Sequence, residues 1–221
     1  MQKFDHVGFW RDPSKATYAQ RKIYGKLYQY SLPEFYLDKV GFSGPIMTTV
    51  EKYADKDWSI LEIGSGTGRN LYHLWNAGFR NLRGIDINQK AIDLGRKAFP
   101  EIADIPVACG DIAEIIMDVE PADLIFSRGC FMHIPYEYDW IWEVIAIKAN
   151  KLIMTSDDEE NVGNIASRLK RNYKDTFEPL GWKCVETQTC EIYKPLPPTT
   201  IKRVFLRDEQ PTPRRKRKAS R

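Results

Sequence analysis

The sequence predicts an α/β protein: a mostly parallel, seven-stranded sheet layered between helices, with an antiparallel last strand and an N-terminal helical cap. Three observations predict it. From Trp58 onward, short apolar runs alternate with segments of helical period, the pattern of βαβ units with right-handed crossovers. The first apolar run ends in a glycine-rich turn, Gly64-Ser65-Gly66-Thr67-Gly68. The last two runs are joined by Lys194-Pro195-Leu196-Pro197-Pro198, too short for a crossover helix, so that pair is expected to be antiparallel.

Each element has its own signal. Residues 1–57 read as a helical cap or lid, because KATYAQRKIYGKLYQY (15–30) places Tyr and Ile at mixed three- and four-residue spacings. Ser43-Gly44-Pro45 breaks that segment, and MTTVEKYAD after it forms a short helix into the core. Residues 58–207 form the core domain. SILEIG (59–64) is its first strand, and RNLYHLWNAG (69–78) a helix with Leu71, Leu74 and Trp75 on one face and Gly78 as C-cap. NLRGIDI (81–87) is a strand, and NQKAIDLGRKAF (88–99) a helix stopped by Pro100. Strands follow at VACGDI (107–112) and ADLIFS (122–127), an apolar helix at 136–149, and a strand at KLIMTS (151–156). Asp157 and Asp158 then start a helix, where carboxylates favour the dipole, that runs to about Leu180 and ends at Gly181. Contact with substrate is the rival reading of these two acids. WKCVETQTCEI and TTIKRVFLRDE are the final strands, and residues 208–221 form a basic, disordered tail.

Composition narrows the function classes. At 221 residues and 43% hydrophobic, the chain suits one well-buried core and is short for two independent domains. Aromatic content of 12% argues against a disordered or collagen-like chain. The net charge of +3 is an average of two unlike parts. Residues 214–221 carry six of the 33 basic residues, leaving 27 against 30 acidic ones in a mildly acidic body. No apolar run reaches the roughly 18–20 residues that span a bilayer, and the N-terminus lacks a signal core. Cys109, Cys130, Cys184 and Cys190 form no CxxC pair and have no His at ligand spacing. A soluble, cytoplasmic protein without membrane or metal is expected.

The glycine turn carries the chemistry. In an open α/β sheet, ligands bind beyond the carboxyl ends of the strands at the topological switch point, and glycine lets backbone approach a ligand closely. A dinucleotide fingerprint requires glycine at 69, where Arg69 stands, and no Gly-Lys-Ser/Thr follows for a phosphate loop. The remaining readings are a different ligand loop or a tight turn. Asp86, 22 residues beyond Gly64, ends the second strand; it either accepts ribose hydroxyls or caps the helix starting near Asn88. Asp111 lies on the same sheet edge, where it can accept from an exocyclic amine while Ile87 and Ile112 cover ring faces.

LEIGSGTG, GIDIN, CGDI and PADLIFSRGCFMHIP together resemble the class I S-adenosylmethionine-dependent methyltransferases, with their Rossmann-like sheet. The resemblance covers residues 58–156 by motif and 157–207 by strand order. It implies that Glu62 with Gly64, Ser65, Gly66 and Gly68 lines the methionine moiety of S-adenosylmethionine. It further implies that Asp86 holds the ribose, that Asp111 and Ile112 hold the adenine, and that Ser127 and Arg128 face the sulfonium and substrate. S-adenosylhomocysteine is the implied product. Within that family, DLIFSRGCFMHIP is most similar to small-molecule methyltransferases, including those of sugar and cell-surface glycan biosynthesis. The Asp/Asn-Pro-Pro-aromatic motif of base-amino enzymes is replaced by Ser127-Arg-Gly-Cys130, and Cys130 follows Gly129 rather than proline. Both DNA-modifying classes are therefore disfavoured.

Methyl transfer mainly needs positioning and exclusion of water, with a general base when the acceptor is a hydroxyl. His133 is the candidate base, near where an acceptor sits; a structural cap before Pro135 is its alternative. Arg128 either binds an anionic substrate group or forms a plain salt bridge. Trp10, Tyr18 and Tyr24 either close as a lid or pack the N-terminal helices. The tail is a solvated end, a localisation signal or a nonspecific phosphate-binding arm. Three functions follow: methyl transfer to a small molecule, methyl transfer to nucleic acid or protein guided by the tail, or a cofactor-binding scaffold without turnover.

Overall fold

The computed structural model describes residues 4–17, 20–22, 31–37, 43–160, 168–190 and 200–207. Seven strands form one sheet: β1 (Ile60–Ile63), β2 (Leu82–Asp86), β3 (Val107–Cys109), β4 (Ala122–Arg128), β5 (Ala149–Asp158), β6 (Trp182–Cys190) and β7 (Thr200–Arg207). Their spatial order is β3-β2-β1-β4-β5-β7-β6. The first five are parallel, while β7 runs antiparallel to both β5 and β6, as the short join in the sequence requires. Strand order reverses between β1 and β4, which puts a crevice beyond the carboxyl ends of those two strands.

Residues alternate across the sheet and both faces are buried, which is why the strands read as continuous apolar runs. Leu61, Ile63, Ile125, Ile153 and Phe205 pack in one layer with α6 (Ile141–Lys148) and α7 (Tyr173–Phe177). Their neighbours Ile60, Leu124, Phe126, Leu152, Met154 and Val204 pack in the other, with α2 (Gly44–Tyr53) and α3 (Arg69–Asn76). The remaining helices are α1 (His6–Arg11), α4 (Gln89–Ala98) and the single turn α5 (Ile112–Ile115). Gly78 and Gly181 hold left-handed backbone just past α3 and past the 3-10 turn after α7, ending both segments as expected.

Two expectations about elements are corrected. The helix expected over 136–149 is a 3-10 turn at Tyr136–Tyr138 followed by α6, with Asp139 between them accepting from Trp142 Nε1 and Arg171. The helix expected from Asp157 does not begin there, because β5 continues through Asp158. Pairing with β7 holds it, Asp157 opposite Ile201 and Asp158 opposite Thr200. Glu159 just beyond is clamped by Arg203 through two hydrogen bonds of 2.7 and 2.8 Å. Residues 168–172 are not helical either: the described part of that stretch holds only the short α7, which starts at Tyr173 with Asn172 as its N-cap, and the 3-10 turn Glu178–Leu180. Tyr18, Tyr24 and the tail lie outside the described residues.

Candidate active site

At the β1/β4 switch point lies a cavity of about 260 Å³. Its floor is the glycine turn. Gly64, Gly66 and Gly68 all have positive φ, and a Cβ at Gly64 would collide with the Cys130 side chain. Asp86, at the end of β2, clamps this turn: Gly66 N donates to its Oδ2 at 2.6 Å and Asn88 N to its Oδ1 at 2.8 Å. Helix α4 is capped by Asn88, whose side chain accepts from Ala91 N, so Asp86 is not the cap. Burial pushes the Asp86 carboxyl up, against the pull of its two backbone donors. Each oxygen keeps lone pairs for a ligand hydroxyl.

Asp111 caps α5 by accepting from Ala113 N at 3.0 Å, and lines the cavity with Ile87 and Ile112. Glu62 and Ser65 are buried in its wall. Burial pushes Glu62 up to about 8, overriding the Asn70 amide that donates to it. Gly68 and Ser127 are the exceptions among the expected cofactor residues, since neither lines the cavity. Ser127 is fully buried on β4, and its Oγ has no hydrogen-bond partner among the described residues. Side-chain alternation along β4 explains this: Arg128, one residue on, is the one that reaches the cavity.

The end of β4, the turn after it and the end of β5 supply the candidates for chemistry. Arg128 donates to Ser156 Oγ at 3.0 Å. His133, in the 3-10 turn Phe131–His133, is buried with its ring centroid 4.3 Å from that of Trp10. Asp158 lines the cavity in an ion pair of 2.9 Å with Arg168, and as the last residue of β5 it does not start a helix. Cys130 also lines the cavity, and burial pushes its thiol well up, leaving it neutral and a poor nucleophile. His73, half-buried on α3, does not line it.

The N-terminal segment roofs the cavity. His6, Val7 and Trp10 from α1, with Ser31, Pro33 and Tyr36, complete the lining. Lys90 on α4 anchors this roof through Asp12 at 2.8 Å, holding that carboxyl down to about 2. Sequence reading missed Asn70, Arg69 and Arg168 as lining residues. The position of Asn70 in the first turn after the glycine loop was a usable signal, but Arg168 carries none.

Residues 60–146 match the family model of the methyltransferase domain. By sequence, 137 residues are 27% identical to the UDP-N-acetylglucosamine--N-acetylmuramyl-(pentapeptide) pyrophosphoryl-undecaprenol N-acetylglucosamine transferase of Shouchella clausii (strain KSM-K16). That match spans 62% of this chain and only 36% of that protein. By structure, the chain is similar to magnesium protoporphyrin IX methyltransferase (ChlM) from Synechocystis PCC 6803 with bound SAH, at a TM-score of 0.68 and 12% identity, covering 91% of this chain and 98% of that one. It is also similar to a S-adenosylmethionine-dependent methyltransferase from Clostridium acetobutylicum ATCC 824 (TM-score 0.63, 12% identity, 85% and 97% covered). TehB from Haemophilus influenzae is a third (TM-score 0.61, 18% identity, 75% and 62% covered). The likenesses show a shared fold.

Proposed function

We propose that this chain, whose residues 60–146 match the methyltransferase-domain family, transfers the methyl group of S-adenosylmethionine to a small-molecule acceptor held beneath its N-terminal roof. The observation that carries this reading is a single cavity lined both by the glycine turn with Asp86 and Asp111 and by His133, Arg128 and Asp158.

The residues present fit the cofactor. The backbone at Gly66 leaves open space beside Asp86 that a side chain would fill, and Glu62 Oε2 and Ser65 Oγ are buried polar atoms with no partner among the described residues. Glu62 and Ser65 would hold the methionine end, Asp86 the ribose hydroxyls, and Asp111 with Ile87 and Ile112 the adenine. When bound, the cofactor supplies an activated methyl on a sulfonium whose departure leaves a neutral thioether. The protein's own contribution is orientation and a dry site. Trp10 and Tyr36 exclude water from above, Arg128 offers its guanidinium to an anionic group on the acceptor, and His133 accepts the proton of an acceptor hydroxyl.

Isothermal titration with S-adenosylmethionine, S-adenosylhomocysteine and NAD tests the reading. Micromolar binding of the first two alone is expected, and no binding by folded, cofactor-free protein refutes it. Once an acceptor is known, His133→Ala is expected to lower kcat by about 100-fold or more while leaving cofactor affinity intact. Unchanged turnover would make His133 structural.

A further inference from the structure

The cavity carries an ion pair that the cofactor contacts above leave unused. Asp158, the last residue of β5, pairs with Arg168 at 2.9 Å, and both line the cavity with Arg128 at the end of β4 and Thr200 at the start of β7. Asp158 is buried. An ion pair out of water adds little net stability, because desolvation offsets its attraction. Yet both partners are fixed by contacts of their own. The β5 ladder runs on past Ser156 to set Asp158 opposite Thr200. Next to Arg168, Leu169 N donates to Met132 O at 2.7 Å, and Arg171 N donates to Glu159 O at 3.2 Å. Met132 belongs to the 3-10 turn that ends in His133, so Arg168 is tied to the turn carrying the candidate base.

Strand register places the two guanidiniums. Arg128 stands opposite Ser156 and donates to its Oγ at 3.0 Å. Asp158 follows Ser156 on the same face of β5, about 7 Å along the strand. The anchors of Arg128 and Arg168 are therefore about 7 Å apart, a span that one carboxylate or phosphate can bridge. A guanidinium has a planar fork of N–H donors, so a bond to Ser156 or Asp158 is compatible with a second one to an oxyanion. Neighbouring charges are matched elsewhere: Glu159 with Arg203, and Lys202 with Glu186. Arg128, Arg168 and Asp158 together sum to a single positive charge. Asp158 takes Arg168 on Oδ2 and Glu160 N on Oδ1, and a carboxylate has further lone pairs. As an acceptor only, it repels a bare anion and suits a hydroxyl beside one.

We propose that Arg128, Arg168 and Asp158 form the acceptor subsite, and that it takes a small hydroxylated oxyanion. The carboxylate or phosphate bridges the two guanidiniums, and an adjacent hydroxyl donates to Asp158. The inference rests on the reading above in that the occupant is the methyl acceptor, and it narrows that acceptor to hydroxy acids and hydroxylated phosphates. Arg168 is the specificity-determining residue, because it brings Asp158 and the second guanidinium to one place.

Calorimetric titration of the full chain, loaded with S-adenosylhomocysteine, uses gluconate, glycerol phosphate, hexanoate and sorbitol as probes. Gluconate or glycerol phosphate is expected to bind saturably, and the tighter of the two tells carboxylate from phosphate. Hexanoate, which lacks hydroxyls, is expected to bind about tenfold more weakly, and sorbitol, which lacks charge, not at all. Arg168→Gln is expected to lose about tenfold or more of the anion affinity at an unchanged S-adenosylhomocysteine affinity, with Arg168→Lys in between. Asp158→Ala is expected to tighten hexanoate and erase the preference for gluconate, a gain that misfolding cannot produce. No binding of either hydroxylated anion, or parental affinity in Arg168→Gln, overturns the subsite and leaves the cofactor reading standing. Hexanoate that binds Asp158→Ala no more tightly overturns the role of Asp158. Failure of S-adenosylhomocysteine to bind overturns the cofactor reading instead, and the same probes titrated into unloaded protein then decide the subsite alone.

Discussion

Asp86 shows how one carboxylate can clamp a loop and still line a cavity. Its oxygens each take one backbone N–H, from Gly66 and Asn88, and present their remaining lone pairs to the cavity. Asp86→Ala is therefore expected to weaken S-adenosylhomocysteine binding by about 1–3 kcal/mol in a calorimetric titration. Ser127 gives the contrasting case. Its hydroxyl is buried on β4 away from the cavity and without a partner among the described residues, a desolvation cost left uncompensated there. Ser127→Ala is expected to leave cofactor affinity unchanged and to stabilise the fold by up to about 1 kcal/mol in denaturant unfolding. Lost affinity would restore Ser127 to the site. The place of Asp86 on the cavity wall was legible because a residue ending the second strand of such a sheet has few places to point. Ser127 was misjudged by one residue, and one residue on a strand is the difference between two faces.

Elements show where local propensity was overruled. The acidic run after Thr155 reads as a helix start, but three acids in that run have partners far away. Asp158 pairs with Arg168, Glu159 with Arg203, and Asp157 accepts from Met132 N at 3.3 Å. Those contacts, with the ladder to β7, keep the chain extended. Helix α4 was correctly read, although the reason for glycine at 95 was not visible. A Cβ there would run into the Thr67 backbone carbonyl of the glycine turn. Backbone cannot step aside without moving the ligand loop, so Gly95→Ala is expected to cost about 1–3 kcal/mol of stability. Cofactor affinity should fall with it; a variant with an unchanged denaturation midpoint would show that the two elements are less tightly packed.

Across the whole molecule, buried acids set a pH dependence of stability. Glu186 lies between Lys52 and the buried Lys202, which hold it down to about 2, and Lys202 also donates to Thr49 on α2 at 2.6 Å. A lowered carboxyl contributes stability that is present above its ordinary range and lost as pH falls toward 2. Asp157 has the opposite sign. Burial raises it to about 7, so the fold holds its proton more tightly than the unfolded chain does. Its contribution is present at low pH and is lost as pH rises from about 4 to about 7; Glu62 adds the same trend up to about 8. Asp157→Asn is therefore expected to flatten the fall in melting temperature between about pH 5 and about pH 8. A slope equal to that of the parent would count against a buried neutral acid at this position.

The order of strands and helices, the antiparallel close of the sheet and the glycine turn with its two following acids were determined by the sequence alone. Each depends on periodicity, chain length between elements, or the freedom of glycine, and these are local properties of the chain. Only tertiary structure decided that β5 runs on through Asp158, that Trp10 meets His133 across the cavity, and that Ser43 is committed to Asn70. Those outcomes depend on which polar groups lose water together. Burial brings such partners into contact from segments that are far apart in the chain, so their pairing leaves no local pattern to read.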